Sequence, residues 1–147
     1  MFGSELDDPG FVRVIEKAGA IVVGDDLCTS NAYFWHNVKA DKPGTTTDPL
    51  TKMAERYITG IVCPRMTPPV TKHDMQKAQM KLYKADAVIY TVLKFCEPHI
   101  SHWQPVSEIV KEVGLPILWL ERDYTSGGSL GQVKTRVEAF MEQLLDI

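Results

Sequence analysis

Cys28, Cys63 and Cys96 are the three cysteines of this sequence and the residues best suited to chemistry in it. Their number is odd and their spacing wide, which matches neither a small disulfide framework nor a zinc ribbon. In a reducing compartment they stay thiols or bind metal. Cys96, His99 and His102 recur at three-residue spacing and raise the question of zinc, but a fourth nearby ligand is missing. Histidines near a helix start are expected at the surface. Cys63 reads as a small buried apolar residue. Asp25 and Asp26, just ahead of Cys28, either cap the loop or solvate it. Thr125-Ser126-Gly127-Gly128-Ser129, before a helix, could cradle an anion with backbone N–H groups or be a plain loop with an N-cap serine. It lacks the lysine of a P-loop. No nucleophile elbow is present, which argues against a hydrolase.

The elements that must position these residues follow from periodicity and punctuation. Asp8-Pro9 supplies an N-cap and a first-turn proline for a helix with Phe11, Ile15 and Ala18 on one face, ended at Gly19. Asp48-Pro49 repeats the device ahead of Leu50, Met53, Ala54, Tyr57, Ile58 and Ile61. Thr71 with Asp74 resembles a capping box that opens a less regular stretch to Lys84. Pro105 begins a helix with Val106, Ile109, Val110 and Val113 inward, stopped at Gly114. Ser129 with Gln132 opens the last, carrying Leu130, Val133, Val137, Phe140 and Leu144. Between the helices, Ala20 to Val23, Ala87 to Leu93 and Pro116 to Leu120 are short, nearly continuous apolar runs, as buried parallel strands are.

Alternation of helix and strand predicts an α/β fold: a three-layer (α/β/α) open parallel sheet, Rossmann- or flavodoxin-like. Met1 to Ser4 leads straight into a capped helix, so the first strand is expected to lack part of its length and the chain to be cut from a larger polypeptide. Ligands of such sheets bind beyond the carboxyl ends of the strands. This places Cys28, Cys96 and Glu121 along one edge. The loop from Cys28 to Thr47 is long enough to be functional or mobile.

The 147 residues fit one domain, residues 1–147, with 44% hydrophobic and 24% charged residues, as in ordinary soluble globular proteins. A net charge of −3 with interspersed signs argues against nucleic acid. No apolar run reaches membrane-spanning length and no secretion signal is visible. The cytoplasm is the default location.

Several segments in register then carry a resemblance. They are Val14 to Cys28, Ala54-Glu55-Arg56-Tyr57, Ala85 to Tyr90, Leu93-Lys94-Phe95-Cys96-Glu97-Pro98, Leu115 to Asp123 and Gln132 to Phe140. In this order they resemble the carboxy-terminal region of the 2-hydroxyacyl-CoA dehydratase and benzoyl-CoA reductase subunit family, whose members are about two to three times longer. The resemblance implies a four-iron four-sulfur cluster held between domains, with most ligands from an amino-terminal part. Cys96 matches the ligand of the carboxy-terminal domain. Cys28 follows a familiar Asp-Asp-x-Cys pattern, but Ser30, Asn31 and Ala32 stand where the family often has a glycine and an arginine.

The resemblance further implies radical chemistry on an acyl-CoA. One-electron reduction of the thioester carbonyl to a ketyl makes the C2 hydroxyl leave and the C3 proton acidic, which requires a strongly reducing thiolate-held cluster. The implied partners are the amino-terminal part of the same subunit, a second dehydratase or reductase subunit, an ATP-dependent iron–sulfur activator and the acyl-CoA substrate. The parent would be a dehydratase (lyase) or a ring reductase (oxidoreductase). The isolated chain is expected to hold no cluster, to be inactive and to self-associate. Two other readings stay open: a free-standing flavodoxin-like nucleotide or flavin module, and a non-catalytic domain for subunit assembly.

Overall fold

The computed structural model describes residues 1–43, 45–60, 63–65, 70–124 and 130–145. Three parallel strands form the sheet: β1 (Phe2–Gly3), β2 (Val88–Leu93) and β3 (Ile117–Arg122), in the order β1-β2-β3. Tyr90 of β2 lies opposite both Phe2 and Trp119. Seven helices accompany it among the described residues: α1 (Pro9–Lys17), α2 (Asn31–Phe34), α3 (Pro49–Gly60), α4 (Val70–Leu82), α5 (Glu97–Ser101), α6 (Trp103–Glu112) and α7 (Leu130–Leu145).

Alternation along β2 explains the layers, because successive side chains of a strand point to opposite faces. Val88, Tyr90 and Val92 join Phe2, Met80 of α4 and Val106, Ile109 and Val110 of α6 in one core. Ile89, with Leu120 of β3, joins Phe11 and Ile15 of α1 and Val133, Val137 and Phe140 of α7 in the other. Helices thus cover both faces of an open parallel sheet. Tyr90, Trp103 and Trp119 pack ring against ring, with centroids 5.0–5.6 Å apart.

Caps fall where residue types demand them. The Asp8 carboxylate accepts from Gly10 N at 2.8 Å ahead of Pro9, and Asp48 accepts from Thr51 N at 2.9 Å. Gly19 and Gly114 end α1 and α6 at φ +95° and +85°, a region glycine enters without steric cost. Gly3 is more constrained still. It sits at φ +133°, and a Cβ there would meet the Thr91 carbonyl oxygen at 1.8 Å.

Ala20 to Val23 is not a strand. Ile21 is 80% exposed, and the segment joins the sheet only at the parallel bridge between Phe2 and Asp26. β1 has only two residues, so its pairing reaches no further back than the bond from the Met1 amino group to Gly24 O at 2.7 Å. Without a ladder partner among the described residues, four apolar residues cannot hold strand geometry on propensity alone. Helix starts shift as well. Thr71 lies inside α4, which begins at Val70 directly after Pro68-Pro69 in the sequence, and α6 begins at Trp103, two residues before Pro105. β3 runs two residues past Leu120, to Arg122. Ile61 and the run from Thr125 to Ser129 lie outside the described residues.

Candidate functional site

At the carboxyl ends of β1 and β2 the chain departs in opposite directions. From β1 it crosses through α1 to Asp26 on one side, and it returns through α3 and α4 to β2 on the other. That reversal is the topological switch point where open parallel sheets bind ligands. Ser4 closes its floor, with its N–H on Thr91 O and its hydroxyl accepting from Leu93 N, both at 2.9 Å.

The two aspartates before Cys28 do different work. Asp26 is 1% exposed. Its Oδ2 accepts from Lys72 Nζ and from Gln76 Nε2, each at 2.8 Å, while Oδ1 has no partner among the described residues. Lys72 and Gln76 stand one turn apart on α4, so both reach the same carboxylate. Asp25 instead shapes the loop: its Oδ1 accepts from the Ser30 hydroxyl and from Asn31 N. Between these anchors the chain is held in place just ahead of Cys28.

Cys28 Sγ lies 3.3 Å from His99 Nε2. The His99 Nδ1 lies 3.1 Å from the Tyr90 hydroxyl, which also donates to His99 O at 3.0 Å. With its single proton on that carbonyl, the hydroxyl accepts from Nδ1–H, and Nε2 keeps its lone pair toward the Cys28 thiol. Desolvation, aided by Lys72 and His102, lowers His99 to about 4. Desolvation, with Cys63 and Cys96 adding to it against Lys72, raises the Cys28 thiol. Cys28 as a residue is exposed, so this desolvation is local to the sulfur. At neutral pH the pair is a thiol facing an uncharged imidazole.

Cys96 occupies the N-cap position of α5 and makes no side-chain capping bond. Before it, Phe95 takes φ +65° with 87% of its surface exposed. A left-handed non-glycine residue costs roughly 1–2 kcal/mol. Strain of this kind concentrates at sites where the surroundings impose it. All three cysteines are free, and Cys63 and Cys96 both lie close enough to act electrostatically on Cys28.

The remaining residues singled out in the sequence fall elsewhere. His99 and His102 are buried at 3% and 6% exposure rather than at the surface, because α5 turns them inward, under β2 and against α4. His102 Nε2 lies 2.9 Å from His73 Nε2, with the two rings stacked, and so does not join Cys96 and His99 around zinc. Among the described residues no group of three or more His, Cys, Asp or Glu stands ready to hold a metal ion. Glu121 is exposed on β3. Lys72, Gln76 and Tyr90 escaped the sequence reading. The signal was present in α4: Lys72, Met75, Gln76, Gln79 and Met80 are all buried, at helical spacing, but three polar members hide the apolar stripe.

The whole of this arrangement lies within residues 1–144, which match the family model of the 2-hydroxyglutaryl-CoA dehydratase D-component. The chain belongs to that family. It is 25% identical over 143 residues to the (R)-phenyllactyl-CoA dehydratase beta subunit of Clostridium sporogenes, covering 97% of this chain and 36% of that protein. It is 29% identical over 136 residues to YjiM of Escherichia coli (strain K12), a protein named as a dehydratase subunit, covering 90% and 33%. The chain thus spans about a third of the length of these curated relatives. No helix among its described residues is long and apolar enough to cross a membrane.

Proposed function

We propose that this chain is the cluster-bearing domain of an iron–sulfur 2-hydroxyacyl-CoA dehydratase-type subunit, with Cys96 as its contribution to a four-iron four-sulfur cluster. The observation that supports this reading is the meeting of two free thiols around His99 at the switch point of a dehydratase-family sheet: Cys28 Sγ lies 3.3 Å from its Nε2, and the Cys96 carbonyl accepts from its N–H. The donor chemistry fits: thiolates are the ordinary ligands of such clusters, and Cys96 gives up no capping hydrogen bond to α5 to become one. Among the described residues no complete ligand set stands together, and in this reading the remaining ligands come from another part of the protein. When bound, the cluster would supply one electron at low potential to an acyl-CoA thioester.

The chain's own residues act by positioning. Phe95 turns the backbone so that Cys96 opens α5. Lys72 and Gln76 hold Asp26, and through it the approach to Cys28. Tyr90 fixes the His99 ring, whose bare Nε2 accepts from the Cys28 thiol.

The test is anaerobic reconstitution with iron and sulfide, followed by iron counting and visible absorbance. The chain alone should retain no stable cluster after gel filtration. A polypeptide extended to the length of the relatives should retain one per subunit, lost in Cys96→Ser and kept in Cys63→Ser. Equal effects of the two substitutions would overturn the assignment of Cys96.

A further inference from the structure

Residues 20 to 23 have the composition of a strand, yet their N–H and C=O groups make no backbone hydrogen bond among the described residues. Just past them, Asp26 N donates to Met1 O, and Gly24 O accepts from the Met1 amino group. The alternation of a parallel ladder turns the N–H and C=O of Val22 the same way. What they face is a cavity of about 390 Å³, with residues 19–25 as one wall and residues 84–89 as the other.

The cavity is one strand wide. At its inner end Phe2 bridges the gap, pairing with Asp26 on one side and with Tyr90 on the other. Counted back from that pairing, Gly24 stands opposite Val88, Val23 opposite Ala87, Val22 opposite Asp86 and Ile21 opposite Ala85, four strand positions that the cavity leaves open. Helices already close both faces of the slot: Ile15 of α1 with Phe140 and Leu144 of α7 on one, Gln79 and Met80 of α4 on the other. Gln79 is 2% exposed, and neither of its amide atoms has a partner among the described residues. A buried amide left in that state is costly, which marks the space as one that something else completes.

We propose that this slot is a docking groove for one extended, apolar strand of polypeptide, laid parallel to β1 and in line with it, and that the strand comes from the part of the subunit outside this chain. Both walls pair with its backbone, as in the addition of a strand to a sheet. Its side chains enter the two cores, and a hydrogen-bonding one on the α4 face answers Gln79. The choice of source has two grounds. The chain covers only 36% and 33% of its curated relatives. A second copy has no spare strand to lend among the described residues, since β1, β2 and β3 pair with one another and Ala20 to Val23 already serves as a wall. The inference rests on the reading of the chain as one domain of a longer subunit. It does not rest on Cys96 or a cluster, because no cysteine lines the slot.

The experiment is amide hydrogen exchange, without iron, on this chain and on a polypeptide extended to the length of the relatives. In the chain the amides of Val22, Gly24 and Ala87 should exchange quickly. In the longer polypeptide they should slow by roughly tenfold or more, as ladder amides do. Val22→Pro removes an N–H that the chain leaves unbonded, so it should lower the melting temperature of the longer polypeptide by more than that of the chain. Both walls exchanging as fast in the longer polypeptide as in the chain would overturn the proposal, as would a Val22→Pro loss no greater there. Slow exchange of both walls in the chain alone would mean that a second copy fills the slot, and would overturn it too. A longer polypeptide that protects both walls but loses nothing of its cluster in Cys96→Ser would bear out the docked strand while refuting the assignment of Cys96.

Discussion

Asp26 carries more structural weight than its neighbours because it is a carboxylate out of water with a cation 2.8 Å away. Removing one member of a buried pair strands the other, at roughly 3–5 kcal/mol. Asp26→Ala should therefore destabilise the chain by about 3 kcal/mol in urea unfolding, whereas Asp25→Ala should alter the loop around Ser30 with a much smaller loss. Comparable losses in both variants would contradict the division of roles. His102 makes a second residue-scale prediction. Burial, with His73 and Lys72, lowers it to about 4, and burial also lowers His73, amid Lys77, Asp74, Lys72 and Glu112. A folded pKa below the ordinary 6.5 means that the unfolded chain takes up the proton first. Stability is then complete above about pH 6.5 and declines as pH falls from there toward 4. Each histidine adds a slope of at most about 1.4 kcal/mol per pH unit. In His73→Gln the slope between pH 6.5 and 4.5 should fall, as chemical denaturation at several pH values would show. An unchanged slope would exclude the pair as its source.

At the scale of elements, strain and polar burial mark where local preference yields to the site. Phe95 holds φ +65° while 87% exposed, so its ring contributes almost nothing by burial. Phe95→Gly should raise stability by about 1 kcal/mol through relief of the left-handed conformation, seen as a higher urea midpoint. A loss of stability instead would show that the ring makes contacts the fold needs. In α4, Gln79 is buried with neither side-chain polar atom partnered among the described residues. Gln79→Leu should stabilise by about 1 kcal/mol, since a buried amide without partners costs more than a methyl pair of similar shape. Thermal unfolding at fixed pH measures both.

At the scale of the whole molecule, apolar residues face solvent along α3 and along one edge of the sheet. Along α3, Leu50 and Ile58 are 73% and 74% exposed, although their spacing is that of a buried helix face. Along the sheet edge, Ile21 and Val23 are exposed beside a segment whose backbone bonds to the start of the chain, among the described residues, at Gly24 and Asp26. Apolar faces with unpaired backbone beside them invite association. The chain should form dimers or larger species at micromolar concentration. Because the cause is apolar and backbone exposure, moderate salt should not disperse them. Sedimentation velocity at several concentrations and two salt levels decides this. A concentration-independent monomer would mean that these surfaces are too irregular to pair.

Local rules were enough for the parts of the fold governed by neighbours in sequence. The Asp8-Pro9 and Asp48-Pro49 starts, the glycine stops at 19 and 114, the apolar runs of β2 and β3 and the three-layer parallel class all follow from capping, periodicity and β-branched composition. So does the place of Cys96 just past the carboxyl end of β2. Family membership was legible for a similar reason, from motifs kept in register along the chain. Only tertiary structure decided what depends on a partner distant in sequence. Ala20 to Val23 has strand composition, but a strand needs a neighbour, and β1 offers two residues. His99 and His102 read as surface residues in the sequence because nothing near them in it reveals Tyr90, Cys28 or His73. Lys72 and Gln76 looked like breaks in an apolar pattern until Asp26, some fifty residues earlier, supplied the charge that makes their burial favourable. A sequence states what each segment prefers alone; which polar groups can be buried is settled only when the fold brings their partners within hydrogen-bond reach.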